Sequence, residues 1–430
     1  MIFFYQIAIR LFTWILPVLA LFNAKTKLFV AGRKNIFSKL KTTIGDSEQV
    51  IWFHCASLGE FEQVRPLIDR FKFENTSIHA LKSRSAQHKI LITFFSPSGY
   101  ELRKNFEGAD FVFYLPVDTK TNVKKFVDLV NPKLVFFVKY DFWYNYLHLL
   151  SDKRIPVYLV SANFRREQFS GLYGIYLRKV LTFFNKIFVQ NVESKELLKQ
   201  KGISNVEVSG DLRFDRVAQT AISAKKLTLI EYFKGTHKLL VGGSTWEAEE
   251  KLLTHIKYQV SGVKLLIAPH EVQAGHIQAV LSKFPNALLY SQISKEPVST
   301  ALPKLQSAQV LIMDTVGLLS IVYRYADIAF VGGGFGAGIH NILEATAFGV
   351  PTVFGTNHYK FPEAKELIDI GAAFSISNEN DLNIVIDSLL FNDEKLKNIF
   401  TLNKNFVQNR AGATGKIMKA ISENNEQHSF

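Results

Sequence analysis

Cysteine is almost missing from this chain: Cys55 stands alone in 430 residues. No internal disulfide can form, which fits a reducing compartment or indifference to redox. There is no CxxC and no clustered Cys/His set, so no structural zinc site is expected. Neither GxGxxG nor GxxxxGK[ST] follows an apolar strand, which argues against dinucleotide cofactors and P-loop hydrolysis. Solenoid repeats and low-complexity tracts are absent. Acidic residues are in the minority, 38 against 51 lysines and arginines, for a net charge of +13. Such an excess attracts polyanions: nucleic acid, anionic lipid or phosphorylated substrates. No RNA- or DNA-binding motif is recognisable, so nucleic acid is not an expected partner.

Apolar residues are plentiful. The chain is 47% hydrophobic and 21% charged, enough for large cores, and its length suggests two or three domains. It begins MIFFYQIAIRLFTWILPVLALF, interrupted only by Gln6, Arg10, Thr13 and Pro17. Lys25, Lys27, Arg33, Lys34, Lys39 and Lys41 follow. About 20 apolar residues span a bilayer core, but Arg10 makes a lipid-exposed span costly. An interfacial helix backed by the basic stretch is the alternative, and a buried first helix of the globular body is a third. No basic segment precedes it, as a cleavable signal would require. Residues 1–24 are therefore read as a retained membrane anchor on an anionic surface.

Beyond the anchor, short apolar runs alternate with helical periodicity. Strands are expected at 50–56, 89–96, 133–138, 157–162, 186–191 and 206–210, with a helix over 60–71. A second series begins at 237–244 and continues at 263–270, 287–291, 310–314, 328–334 and 351–355. Strands alternating with helices imply βαβ units and parallel sheets, and the runs lack the in/out alternation of half-exposed strands. The expected fold class is α/β: two Rossmann-like domains, 25–217 and 237–400, facing a central cleft. Residues 218–236 would link them, and 401–430 would form a last helix and polar tail.

Open α/β sheets bind ligands beyond the carboxyl ends of their strands. In the second half those positions hold GGSTWEAEE (242–250), APHE (268–271), DTVG (314–317) and GGGFGAGIHNILE (332–344). Gly242, Gly243, Ser244 and Thr245 could offer backbone N–H groups and hydroxyls to a phosphate, or Ser244 and Thr245 could simply cap a helix. His340, Asn341 and Glu344 are expected in the first turn of a helix opened by Gly332–Gly338. There a carboxylate could accept ribose hydroxyls while N–H groups meet a phosphate. A nucleotide-linked donor would satisfy both demands.

Taken in order, CASLGEFEQVRPLI (55–68), FSPSGYE (95–101), YLPVD (114–118), DFWYN (141–145), SGDLRFD (209–215), GGSTWEAEE and FVGGGFGAGIHNILEATAFGVP (330–351) resemble one family. It is the 3-deoxy-D-manno-octulosonic acid (Kdo) transferases of Gram-negative lipopolysaccharide synthesis, inverting glycosyltransferases of the GT-B architecture. The resemblance runs through nearly the whole chain. It implies transfer of Kdo from CMP-Kdo to a lipid A precursor (lipid IVA) at the cytoplasmic face of the inner membrane, with no cofactor and no metal. No DxD strand end contradicts that last expectation. The Glu of the S-x-G-E motif, Glu60, is implied as general base, although a helix N-terminus would weaken it as a base. Arg213 stands where the family commonly has lysine and would stabilise the leaving phosphate. Asp141 matches an acidic residue near the site, with a structural salt bridge as its other reading.

Donor contacts are implied at Gly243, Ser244, Thr245, Pro269, His270, Val316, Gly317, Leu318, His340, Asn341, Ile342, Leu343 and Glu344. Ser57, Gly59, Ser98 and Gly99 would lie on the acceptor side. Three positions depart from the family pattern: Pro269 replaces a frequent arginine, Leu318 a frequent glutamate and Lys139 an acidic residue. The competing readings are a GT-B transferase for another nucleotide-sugar and lipid acceptor, and a non-catalytic membrane-bound polyanion-binding protein.

Overall fold

The computed structural model describes residues 2–45, 48–81, 88–259 and 262–427. They form two compact units. One holds the chain up to Arg216 together with residues from Arg410 onward; the other is Val217–Asn409.

The first unit is built on seven parallel strands: β1 (Gln49–Cys55), β2 (His88–Phe94), β3 (Phe111–Tyr114), β4 (Pro132–Val138), β5 (Val157–Ala162), β6 (Lys186–Val189) and β7 (Val206–Val208). Their order, β3-β2-β1-β4-β5-β6-β7, is that of a doubly wound fold whose direction reverses between β1 and β4. Both faces of the sheet are covered. Val50 and Trp52 enter one apolar cluster with Val135 and Phe137, whereas Ile51, Phe53 and Cys55 enter the opposite one with Phe136. That two-sided burial is why β1 reads as an unbroken apolar run, since successive side chains alternate faces. Phe53 and Phe136 sit opposite one another in register and stack with centroids 4.7 Å apart.

The second unit repeats the architecture. Its strands are β8 (Lys238–Thr245), β9 (Val263–Pro269), β10 (Leu288–Leu289), β11 (Val310–Ile312), β12 (Ile328–Val331), β13 (Thr352–Gly355) and β14 (Ala373–Ile376). They pair in parallel in the order β10-β11-β9-β8-β12-β13-β14, so the reversal falls between β8 and β12.

Two strands were not legible in the sequence, β3 and β14. Both are four-residue strands at a sheet edge, paired on one side and partly exposed. A short, half-covered strand needs no long apolar run. The 287–291 run supplies only Leu288–Leu289 before turning into a helix at Tyr290. The region 218–236 holds the end of one helix, Leu212–Ser223, and a second, Thr228–Lys234, whose Ile230 and Phe233 are buried in the second unit's core. The last helix, Ala413–Gln427, belongs to the first unit. Asp215 accepts the Gly412 and Ala413 N–H groups at 3.0 Å each, and Ile417 and Ile421 join the cluster around Phe53.

The N-terminal helix, Ile2–Leu19, is long and apolar enough to cross a membrane. One stripe of it is nevertheless fastened to the globular body. Ile9 and Leu16 pack with Phe29 and Val117. Tyr5 donates its hydroxyl to Asp118 Oδ2 at 2.5 Å, and Gln6 Nε2 donates to Asn145 Oδ1 at 2.6 Å. Asp118 also accepts the Asn145 and Tyr146 N–H groups, and burial pushes its carboxyl up to about 7. The opposite stripe, with Phe4, Leu11, Trp14 and Val18, is exposed. Tyr5→Phe removes a hydroxyl donor to this acid and is expected to cost about 2 kcal/mol, read as a lower urea midpoint. An unchanged midpoint would mean that the helix is not held there.

Candidate active site

β1 ends at Cys55, and Ser57 then starts the helix Leu58–Leu81. Ser57 and Glu60 have the spacing of a capping box. The Ser57 N–H donates to Glu60 Oε2 at 2.8 Å, and the Ser57 hydroxyl lies 3.3 Å from the same oxygen. Glu60 therefore serves its helix start through Oε2, while Oε1 makes no hydrogen bond among the described residues. The helix N-terminus does not decide its acidity. Burial raises the Glu60 pKa above the usual 4.5, and the nearby Asp141 carboxylate raises it further. The Ser57 N–H, His54 and Lys139 pull the other way. Lys139, one of the three departures from the family pattern, thus places a cation where it offsets Asp141.

Asp141 follows β4, so it and Glu60 occupy the carboxyl ends of the two strands that flank the reversal. His54, fully buried in β1, holds Asp141: its Nε2 lies 2.5 Å from Asp141 Oδ2. Its Nδ1 lies 2.8 Å from Thr93 Oγ1, which accepts the Trp52 indole N–H at 2.7 Å. The indole can only donate, so the Thr93 hydroxyl is free to donate to Nδ1 and leave the Nε2 proton for Asp141. Sequence reading missed His54, because a histidine within a fully apolar strand looks like a packing residue. Its position one residue before the strand end was the available signal.

Gly99 brings the neighbouring loop close: a Cβ there would sit 2.4 Å from the Phe94 ring and 3.2 Å from Leu58 N. Ser98 and Gly59 are exposed, and Ser98 Oγ is 2.8 Å from Ser96 Oγ. Arg213 is gripped by Asp211, which lies 2.8 Å from both its Nε and a terminal nitrogen. Burial pushes the Cys55 thiol well up, which makes it a poor nucleophile.

In the second unit the loops after β8 and β12 are drawn together. A Cβ on Gly332 would lie 2.1 Å from the Ser244 carbonyl oxygen, so only glycine permits that approach. Gly333 has φ +90°. Glu249, 1% exposed, ties the two loops: Oε2 accepts the Trp246 N–H at 3.0 Å, and Oε1 accepts those of Gly333 and Phe335 at 2.9 and 3.4 Å. It too was missed, hidden in an acidic run that reads as a solvated helix start.

Trp246, His270 and His340 form an aromatic group. His270 stacks on Trp246 at 4.6 Å and on His340 at 4.4 Å, and the Trp246 indole N–H donates to His340 Nε2 at 3.1 Å. Burial and the neighbouring His270 lower the His340 pKa to about 4. Thr245 is buried, with its hydroxyl 3.5 Å from Glu250 Oε1, and Ser244 has φ +52°. Pro269 ends β9. Asn341 Nδ2 donates to Glu344 Oε1 at 3.2 Å, while its Oδ1 accepts the Leu343 N–H. Ile342 and Leu343 are buried. Val316 is exposed, Gly317 has φ +98°, and Leu318 precedes a four-residue helix. The helix expected at His340 is one turn only, Leu343–Thr346, so His340 and Asn341 precede it. A single turn carries little of the dipole a longer helix would offer a phosphate.

Residues 32–216 match the 3-deoxy-D-manno-octulosonic-acid transferase (kdotransferase) family. The 3-deoxy-D-manno-octulosonic acid transferase of Aquifex aeolicus is 28% identical over 366 residues, covering 83% of this chain and 90% of that protein. The enzyme of the same name from Haemophilus influenzae is 24% identical over 390 residues, covering 87% and 86%. Among solved structures, UDP-GlcNAc 2-epimerase from Neisseria meningitidis bound to UDP-GlcNAc aligns with a TM-score of 0.59 at 13% identity, over 87% of this chain and 100% of that one. That likeness is one of fold, two Rossmann-like units of the GT-B type.

Proposed function

We propose that this chain, which is similar to the Kdo transferase family of glycosyltransferases, serves Kdo transfer in lipopolysaccharide biosynthesis, taking CMP-Kdo as donor and a lipid A precursor as acceptor, with inversion at the anomeric carbon. The acceptor oxygen bonds to that carbon as the glycosyl–phosphate bond breaks and CMP departs. Glu60 takes the hydroxyl proton on Oε1. The observation that carries this reading is its placement: a carboxylate at the β1/β4 reversal, with one oxygen held by Ser57 and its pKa raised by burial and by Asp141. A raised pKa strengthens the base, and the proton moves as the hydroxyl acidifies in the transition state.

CMP gains negative charge as it leaves, and a fixed cation is most effective where charge develops. Arg213, oriented by Asp211, is assigned that role by resemblance. The loops around Trp246, His270, His340 and Asn341 are assigned to the cytidylate. No metal takes part in the proposal, and turnover is expected to survive EDTA; loss in EDTA with recovery on adding Mg²⁺ would refute that point. The apolar N-terminal helix and the +13 charge support work at an anionic membrane, the cytoplasmic face of the inner membrane.

The reading is tested by offering the purified protein CMP-Kdo or UDP-sugars with lipid IVA and following which nucleotide is released. CMP is expected. Release of UDP alone would replace this donor with another. The pH profile is a second check. A base must be deprotonated, so activity rises as pH climbs through the Glu60 pKa, and the acid limb of kcat/KM is expected above 4.5. Asp141→Asn removes a group that raises the pKa and should move the limb down. Lys139→Ala removes one that lowers it and should move the limb up. Limbs that stay put in both variants would place the titrating base elsewhere.

A further inference from the structure

The first unit holds a cavity of about 660 Å³ between the N-terminal helix, the turn after β4 and the helix Gly171–Leu181. Phe4, Ala8, Leu172 and Tyr173 form its apolar walls, and Asp141 and Trp143 belong to the same lining. Three of the tyrosine hydroxyls in the lining are committed elsewhere. Tyr5 donates to Asp118, Tyr140 to the Asn163 carbonyl and Tyr176 to the Phe142 carbonyl. The Trp143 indole N–H, by contrast, is buried with no acceptor among the described residues. A buried donor without a partner is costly, and a bound acceptor would relieve it. Exposed Phe4 on one helix and exposed Leu172 and Tyr173 on the other belong both to the cavity and to the apolar outer surface.

We propose that this cavity takes one fatty-acyl chain of the acceptor glycolipid, with the Trp143 N–H donating to the ester or amide carbonyl at the root of the chain. This rests on the reading of the acceptor as a lipid. The chemistry favours an acyl chain over a protein segment, because a peptide would bring a run of backbone N–H and C=O groups to a mostly apolar lining whose one carboxylate, Asp141, stands at one end. An acyl chain brings carbon and, at its root, a carbonyl acceptor. Asp141 marks the polar end: it is held by His54 and acts on Glu60, so a chain rooted there keeps its sugar beside the base. The other end opens along the exposed apolar stripe of the N-terminal helix, the surface expected to meet lipid.

The test compares an acylated acceptor with the same phosphorylated disaccharide stripped of its chains, using the full chain in detergent. Ala8→Phe fills the cavity. The preference for the acylated acceptor, as the ratio of kcat/KM values, is expected to fall at least about tenfold, the equivalent of two buried methylenes. Ile15→Ser, an exposed change on the same helix outside the cavity lining, is expected to reduce the preference far less. An intact preference in A8F, or an equal loss in I15S, overturns the proposal while leaving Kdo transfer standing.

A binding measurement needs no turnover. A fatty acid brominated along its chain should quench tryptophan fluorescence in W14F protein and fail to do so in W14F/W143F. Equal quenching in both overturns the proposal even if no transfer is found.

Discussion

Glu60→Gln is expected to lower kcat by about 10²–10⁴-fold, the range a positioned general base contributes, while CMP binding stays within about twofold. The substitution isolates the chemistry. The glutamine amide oxygen can still accept the Ser57 N–H that Oε2 accepts now at 2.8 Å, so the helix start survives. What disappears is the carboxylate oxygen able to take a proton. Glu60→Ala goes further by removing that cap, and its larger loss would mix local unfolding with lost chemistry. Rates of CMP release, set beside equilibrium dialysis of CMP, separate the two. A Gln variant that turns over at the parent rate would leave Glu60 only its capping role.

Glu249→Ala is the second large effect, and it acts in the other unit. Its carboxylate is 1% exposed and accepts three backbone N–H groups, from Trp246, Gly333 and Phe335. Removing it strands those donors in a protein interior, which is expected to cost about 3 kcal/mol or more. Gly332 lies against the Ser244 backbone, so the loops after β8 and β12 cannot relax independently. Chemical denaturation should show a destabilised protein, and KM for CMP-Kdo should rise at least about tenfold while kcat changes less. Glu249→Gln should fall between, since one of its two positions now donates where acceptors are needed. Unchanged stability and KM would mean that the tie between the loops is unimportant.

The two parallel sheets were legible because strands covered on both faces leave long apolar runs, as β1 does with Val50–Cys55. β3 and β14 escaped notice because an edge strand needs only four residues and keeps polar or half-exposed positions. Glu60 was recognisable as a candidate from its S-x-G-E setting. Its acidity was not, since that follows from burial and from Asp141, which lies 81 positions away along the chain. His54 and Glu249 were hidden for opposite reasons: one sits in an apolar strand and resembles core, the other in an acidic run and resembles surface. Both owe their roles to partners brought in by the fold, Asp141 for one and the β12 loop for the other.

The N-terminal helix shows the same limit. Its composition says that it favours lipid, but the Tyr5–Asp118 and Gln6–Asn145 contacts that fasten one stripe to the body depend on residues more than 100 positions away.

Mass spectrometry of lipid IVA after incubation with the purified protein and CMP-Kdo puts the whole account to trial. A lipid heavier by one or more Kdo residues is expected, with CMP released in equal number and both lost in E60Q. Unaltered lipid under conditions where CMP-Kdo binds, or Kdo addition that E60Q performs as well as the parent, would contradict it.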